Sequence, residues 1–418
     1  MAYIYRANTS TATSYTFSAW IKTARTSESS TSPIFWNGAT NKLAWELNDD
    51  GQIYYYSGST TKTTAFYRDP TAWYNIVWKV NAGTGTLYIN GVEAAGMTSV
   101  SSVGALASGT DIKIGNDGGA SDFTGVMSHV HFCDGTAYAA SSFGSTDSDT
   151  GEWIINTSPS VTYGSNGFFV LKNSSSITDQ SGEGNNLTIS GTLTDTQDCP
   201  DDNFSTINNL DDFYAASTFS NGNTTTSMGS SNETFNTSTL GASKGKYYAE
   251  VKPTTLSAYT MLGIISVPSA GTGDYLGEFA NCYGYDSSDG DYRTGASGTS
   301  YGNTYVVNDI IGIAMDLDNN KLYFSINGVW QDSGDPESGA TGTGAISITD
   351  PASTTMGCYQ FGGGKRHDDT VVLSWNFGNG YFGTTIISSE GTNASGIGKF
   401  EYDVPAGYTA LSTKGLNS

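Results

Sequence analysis

Charge is scarce in this chain, and positive charge scarcer still. Of its 418 residues only 14% are Asp, Glu, Lys or Arg, against ~25% in an average soluble domain. Acidic residues outnumber basic ones 40 to 18, for a net charge of −22. A nucleic-acid-binding surface needs a positive footprint, and none stands out. Cysteine is limited to Cys133, Cys199, Cys282 and Cys358. With no Cys-x-x-Cys pair, they argue against a zinc framework and for unpaired, partly buried thiols. No apolar run approaches the ~18 residues of a membrane span. Met1 to Lys22 lacks a basic region followed by an apolar stretch, so no signal peptide is expected. Heptads, collagen-like repeats and fibrous stalk repeats are missing, which weighs against a long fibre shaft. No Walker loop, dinucleotide fingerprint or Ser-His-Asp order occurs.

Turn formers and strand formers fill the space that charge leaves. There are 52 glycines and 26 tyrosines, but only 9 prolines. Aromatics reach 12%, enough apolar surface to oppose the ordering entropy that keeps low-complexity chains unfolded. In Tyr15 to Lys22, Tyr15, Phe17, Ala19 and Ile21 alternate with Thr16, Ser18, Trp20 and Lys22, the period of a strand. Trp73 to Val80 repeats the pattern. A Gly-containing turn at 81–85, a strand to Asn90 and an Asn90-Gly91 hairpin dipeptide follow. Ile311, Ile313, Met315 and Leu317 share one face of a later strand, and Asn327-Gly328 closes its hairpin. Amphipathic helices longer than two turns are not evident. The expected fold class is all-β: two antiparallel β-sandwich (jelly-roll) domains, 1–172 and 202–418, joined by an Asn/Ser/Thr-rich linker over 173–201.

Three sets of phrases carry a resemblance. TFSAWIK (16–22), WYNIVWKV (73–80) and TLYINGVE (86–93) make residues 15–172 similar to a laminin-G-like, concanavalin-type jelly roll. GKYYAEVK (245–252) and DIIGIAMDLDNNKLYFSINGVW (309–330) make residues 202–418 similar to a SPRY domain. FCDGTA (132–137), FGSTDSDTGEW (143–153), DQSGEGNNLT (179–188) and VPAGYTAL (404–411) resemble phrases of virion proteins of marine tailed phages.

Several residues are candidates for chemistry. Laminin-G-like sandwiches hold calcium at a rim, which the resemblance would place on Asp49, Asp50, Asp117 and Asp134. Each also sits in an Asx-Gly type of turn that needs no metal. Tyr54 and Tyr56 share a face and could stack on sugar rings, with core or subunit packing as the plainer reading. The same holds for Trp330. His129 and His131, at i and i+2, would project from one strand face and could share a metal; exposed polar positions are the plainer reading. His367 lies in a charged loop. Asp147, Asp149 and Glu152 imitate the paired carboxylates of jelly-roll glycosidases, but in a Ser/Thr/Gly-rich run that reads first as a solvated turn.

The combined expectation is a non-enzymatic virion surface protein of a tailed bacteriophage, made without a leader and lacking a cofactor unless calcium binds. It would be a tail fibre or spike-type appendage, a homo-oligomer with a trimer favoured, bound to other virion proteins and to a host-surface glycan or protein. Nucleic acid and membrane are not expected partners. The alternatives are a capsid decoration or vertex protein and a polysaccharide-degrading tail spike.

Overall fold

The computed structural model describes residues 2–24, 31–38, 41–46, 51–172, 174–210, 215–229, 233–267, 275–367 and 369–418. Among these, the chain is built of strands paired antiparallel, apart from the short parallel pairing of Thr409–Ala410 with Lys246–Thr255, and helix is confined to short 3-10 turns. It divides into two compact units, 1–194 with 199–201, and 195–198 with 202–418.

The first unit is a sandwich of a six-stranded and a seven-stranded sheet. The six-stranded sheet runs, in spatial order, Phe168–Val170, Gly125–Asp134, Tyr15–Thr23, Tyr74–Asn81, Thr84–Ile89, Val92–Glu93. The seven-stranded sheet runs Thr188–Ser190, Tyr3–Ala7, Asp111–Ile114, Thr31–Trp36, Lys42–Glu46, Gln52–Tyr56, Thr60–Lys62. The alternation read from the sequence sets the core. Tyr15, Phe17, Ala19 and Ile21 meet Phe35, Leu43, Trp45 and Tyr55 of the facing sheet. Burying a side chain such as Phe17 contributes roughly 2–3 kcal/mol. The Asn90-Gly91 turn has positive φ at both residues, 47° and 79°, the backbone of a type I′ hairpin. The preceding turn is tighter than expected: Ala82 and Gly83 make it, and a strand has resumed by Thr84.

The stretch 173–201, expected to be a connector, is largely part of this unit. Thr188–Ser190 adds an edge strand beside Tyr3–Ala7. Asp179 ties the preceding loop down by accepting from the backbone N–H groups of Phe169, Ser181 and Asn185. Polar composition signalled a linker, but here polar side chains bond the backbone of a folded loop.

The second unit has a nine-stranded and a six-stranded sheet. Ile311, Ile313 and Met315 face a core shared with Leu262, Ile264, Phe324, Leu373 and Trp375. Asn327 and Gly328 repeat the positive-φ pair, 48° and 79°. The other face of the larger sheet is covered by the C-terminal segment. Phe400, Val404, Tyr408 and Ala410 pack there on Tyr248, Ala314 and Tyr323.

Candidate functional site

The first unit's two sheets differ on their outer faces. That of the six-stranded sheet is closed by chain from 135–167: Ala140, Phe143 and Tyr163 pack on Val77, Cys133 and Phe169. Every residue of Tyr15–Thr23 is consequently buried. The seven-stranded sheet instead carries a row of large, half-exposed side chains.

Register creates that row. Thr188 pairs with Tyr5, Tyr5 with Lys113, Lys113 with Trp36, Trp36 with Lys42, Lys42 with Tyr56, and Tyr56 with Thr60. Directly paired residues project from the same face. One rung from each of seven strands thus forms a cross-strand ladder reading Thr-Tyr-Lys-Trp-Lys-Tyr-Thr. Aromatics occupy alternate rungs with a lysine between them. The Lys113 ammonium lies 4.9 Å from the Trp36 ring centroid and 5.4 Å from that of Tyr3. Lys42 Nζ stands 5.6 Å from the Tyr54 ring centroid and 3.4 Å from Asp117 Oδ2. Burial works against the Lys42 charge, but bonding to Tyr54 and Asp117 outweighs it, and its pKa is raised. Gly118, at φ 79°, lets its turn approach the indole edge; a Cβ there would lie 2.5 Å from the Trp36 ring.

At one end of the ladder Lys42, Tyr54, Tyr56, Thr60 and Lys62 line an open pocket of about 240 Å³. Tyr54 and Tyr56 do share this face. Tyr55 points inward, stacked on Trp78 at 4.9 Å. Tyr54 is only 6% exposed, so Tyr56 and Trp36 present the more accessible rings. Lys42, Lys62, Lys113, Trp36 and Tyr5 were not foreseen. Their strands alternate visibly, but the pairing that aligns them joins distant segments.

The other candidates fall apart. Trp330 is half-buried and leans edge-on against Tyr248 and Tyr323, 6.3 and 6.4 Å between centroids. It belongs to the margin of a core and presents no platform. Two of the calcium candidates are engaged by the protein itself. Asp117 is ion-paired with Lys42, and Asp134 Oδ2 accepts from Asn166 N and Nδ2 and from Ser10. Asp49 and Asp50 lie outside the described residues. Among the described residues no cluster of three or more His, Cys, Asp or Glu could hold a metal. Asp147 accepts from the backbone of Asp149 and Thr150 and from the Thr150 hydroxyl, closing a solvated turn. His367 is exposed, its ring 4.5 Å from that of Tyr259.

The histidine pair departs from simple alternation. A bulge falls between Ser128 and His131, and His129 takes φ 48°. Both rings are buried rather than exposed. His131 stacks 3.9 Å from Phe169 and bonds the Tyr163 hydroxyl at 3.0 Å. Burial holds both imidazoles neutral: His129 is lowered to about 4 and His131 also falls well below the usual range.

One buried acid escaped notice in the sequence. Glu250, 0% exposed, accepts from Glu401 N and Tyr402 N at 2.9 Å and from Asn376 Nδ2 and Tyr248 Oη at 3.2 Å. Burial outweighs these four donors and raises its pKa to about 7. Fully enclosed, it serves as a latch for the C-terminal segment.

Cys133, Cys282 and Cys358 are free thiols, the first two fully buried. Among the described residues no helix is long and apolar enough to cross a membrane.

Comparison with known proteins bears mainly on the first unit. No curated protein is significantly similar in sequence. Among solved structures, the SPRY domain of human HERC1 is similar over 40% of this chain and 96% of its own, at 10% identity and a TM-score of 0.33. Domain 4 of AbnA, a GH43 extracellular arabinanase from Geobacillus stearothermophilus solved with arabinotriose, is similar over 31% of this chain and 64% of its own, at 18% identity and a TM-score of 0.26. Residues 2–141 match the model of the concanavalin A-like lectin/glucanases superfamily, and six of the seven ladder rungs fall within that concanavalin-like domain.

Proposed function

We propose that this chain is a non-enzymatic surface protein of a tailed-phage particle, a short tail fibre or spike-type appendage, which holds host-surface glycan on the outer face of its seven-stranded sheet. The observation that carries the glycan half is the open ladder of Tyr5, Lys113, Trp36, Lys42 and Tyr56, on a domain of a superfamily that includes lectins. Aromatic faces bury the apolar side of a sugar ring while its hydroxyls stay wet. Of the described carboxylates on this face, Asp117 is already paired with Lys42, and Asp111 stands two residues from Lys113 on the same strand face without a facing partner acid across the ladder. Glycoside hydrolysis needs two carboxyl groups flanking the bond, which favours binding over cleavage. The virion half rests on the four phage-like phrases. In the structure these build turns and covers, such as the Asp147 turn and the Asp179 loop.

Two measurements test this. Mass spectrometry of purified particles should count a few to a few tens of copies. A number near that of the capsid lattice would make it a decoration protein, and absence from the particle would defeat the virion reading. Soluble protein should block particle adsorption, and Trp36→Ala should abolish the block. Sugar release that disappears in Glu152→Gln would instead establish the depolymerase alternative.

A further inference from the structure

The ladder is more specific than an aromatic platform. From its spacing we infer that it takes an extended acidic polysaccharide of the host surface, laid across the strands, with a carboxylate on every second sugar. The inference rests on the glycan-binding reading above and names the substrate class of the same face.

Paired strands lie about 4.8 Å apart, so rungs of one kind recur every ~10 Å, comparable with the length of a disaccharide. Tyr5, Trp36 and Tyr56 occupy alternate rungs, with Lys113 and Lys42 between them. A chain alternating neutral and uronic sugars would place its neutral rings over the aromatics and its carboxylates over the lysines. Charge points the same way. The molecule carries −22 overall, yet on this face the three lysines Lys42, Lys62 and Lys113 outnumber the two described carboxylates, Asp111 and Asp117. Both ladder lysines lie beside aromatic rings, which fixes where their charges sit. Asp117 offsets one of them through its 3.4 Å contact with Lys42. A bound carboxylate would take the place of Asp117 at that ammonium.

That substitution supplies a sharp test. Asp117 Oδ1 closes the turn by accepting from Gly119 N, and Oδ2 faces Lys42. Asp117→Asn keeps the turn acceptor and removes the charge. Titration calorimetry of the whole chain would compare hyaluronan oligosaccharides with cello-oligosaccharides of equal length. Hyaluronan should bind, and more weakly as salt rises. Lys113→Gln and Lys42→Gln should each weaken it roughly fivefold, Lys113→Arg should retain it, and Asp117→Asn should tighten it by a similar factor. Unchanged unfolding temperatures would show that the variants are folded. Equal binding of the neutral chain with no effect of the lysine variants would overturn the inference and leave the glycan reading standing. No binding of either sugar, with Trp36→Ala silent in adsorption, would remove both. Sedimentation showing a self-associated species that Trp36→Ala dissociates, with no sugar bound, would assign the face to a second copy and also overturn it.

Discussion

The two units cover the back of a sheet in the same way and bury opposite chemistry beneath the cover. In the first, chain from 135–167 closes over the six-stranded sheet and encloses His131, with His129 buried in the same strand. In the second, the C-terminal segment closes over the nine-stranded sheet and encloses Glu250. A buried imidazole escapes the cost of burial by staying neutral. A buried carboxylate escapes that cost only by taking a proton, and the four donors around Glu250 offset its burial only in part, so its pKa is raised to about 7. The first cover therefore rests on packing around a neutral ring. The second rests on acceptors for the backbone of Glu401 and Tyr402.

The largest expected effect removes that acceptor. Glu250→Ala would take the acceptor from Glu401 N, Tyr402 N and Tyr248 Oη, while Asn376 Nδ2 keeps Lys399 O; at roughly 1–3 kcal/mol for each lost partner, the second unit should lose about 3 kcal/mol or more. Calorimetry of the whole chain should show one transition lowered and the other unmoved. Loss of both transitions together would break the comparison, since the units would then not unfold separately.

Acid should separate the units next. Glu250 has its folded pKa raised to about 7 from 4.5. The folded state then binds the proton more tightly, and the second unit should lose roughly 3 kcal/mol as pH rises from 4.5 to 7. His129 has its folded pKa lowered to about 4 from 6.5, and His131 is shifted the same way. There the unfolded state binds the proton more tightly. The first unit should lose roughly 3 kcal/mol for His129 alone as pH falls from 6.5 to 4. Unfolding followed across that range should show the two transitions moving in opposite directions. Parallel movement would mean that one of these groups is not buried as described.

How far the sequence reveals this depends on whether the cause is local. Period-two alternation in Tyr15 to Lys22 and the Asn-Gly turns at 90–91 and 327–328 are local, and they carry the all-β class and its hairpins. Tyr54 and Tyr56 could be placed on one face for the same reason. Lys113 and Trp36 could not be joined to them, because register between distant strands depends on the closed core. Glu250 alternates as a surface residue would in KYYAEVK; what buries it arrives 151 residues later. The His129 bulge is invisible to alternation, since one extra residue reverses the faces beyond it. Residues 173–201 misled because a solvated linker and a loop whose Asn, Asp and Ser bond its own backbone share a composition.

A smaller effect isolates one histidine. His131→Phe keeps a ring against Phe169 but takes the partner from the Tyr163 hydroxyl. At pH 7 it should cost the first unit about 1 kcal/mol. At pH 5 it should leave that unit more stable than the unsubstituted chain, because one proton-binding group of the unfolded state is gone. Chemical denaturation at the two pH values reads this crossing directly, and a variant weaker at both would place the acid sensitivity elsewhere.

The smallest effect on stability belongs to the face proposed to bind. Lys113 is held between the rings of Tyr3 and Trp36, and such a contact at a half-exposed site contributes only about 0.5–1 kcal/mol. Lys113→Gln should therefore shift the first unit's unfolding by less than 1 kcal/mol, at the margin of what calorimetry resolves. The open face and the covered faces divide the work of the fold. His131 and Glu250 are enclosed, so changes there register in unfolding; the ladder is half in solvent, so changes there should register in ligand affinity. A Lys113→Gln variant that unfolds several kcal/mol earlier would show the ladder to be a packed part of the sandwich, and would remove the physical basis for treating it as a site.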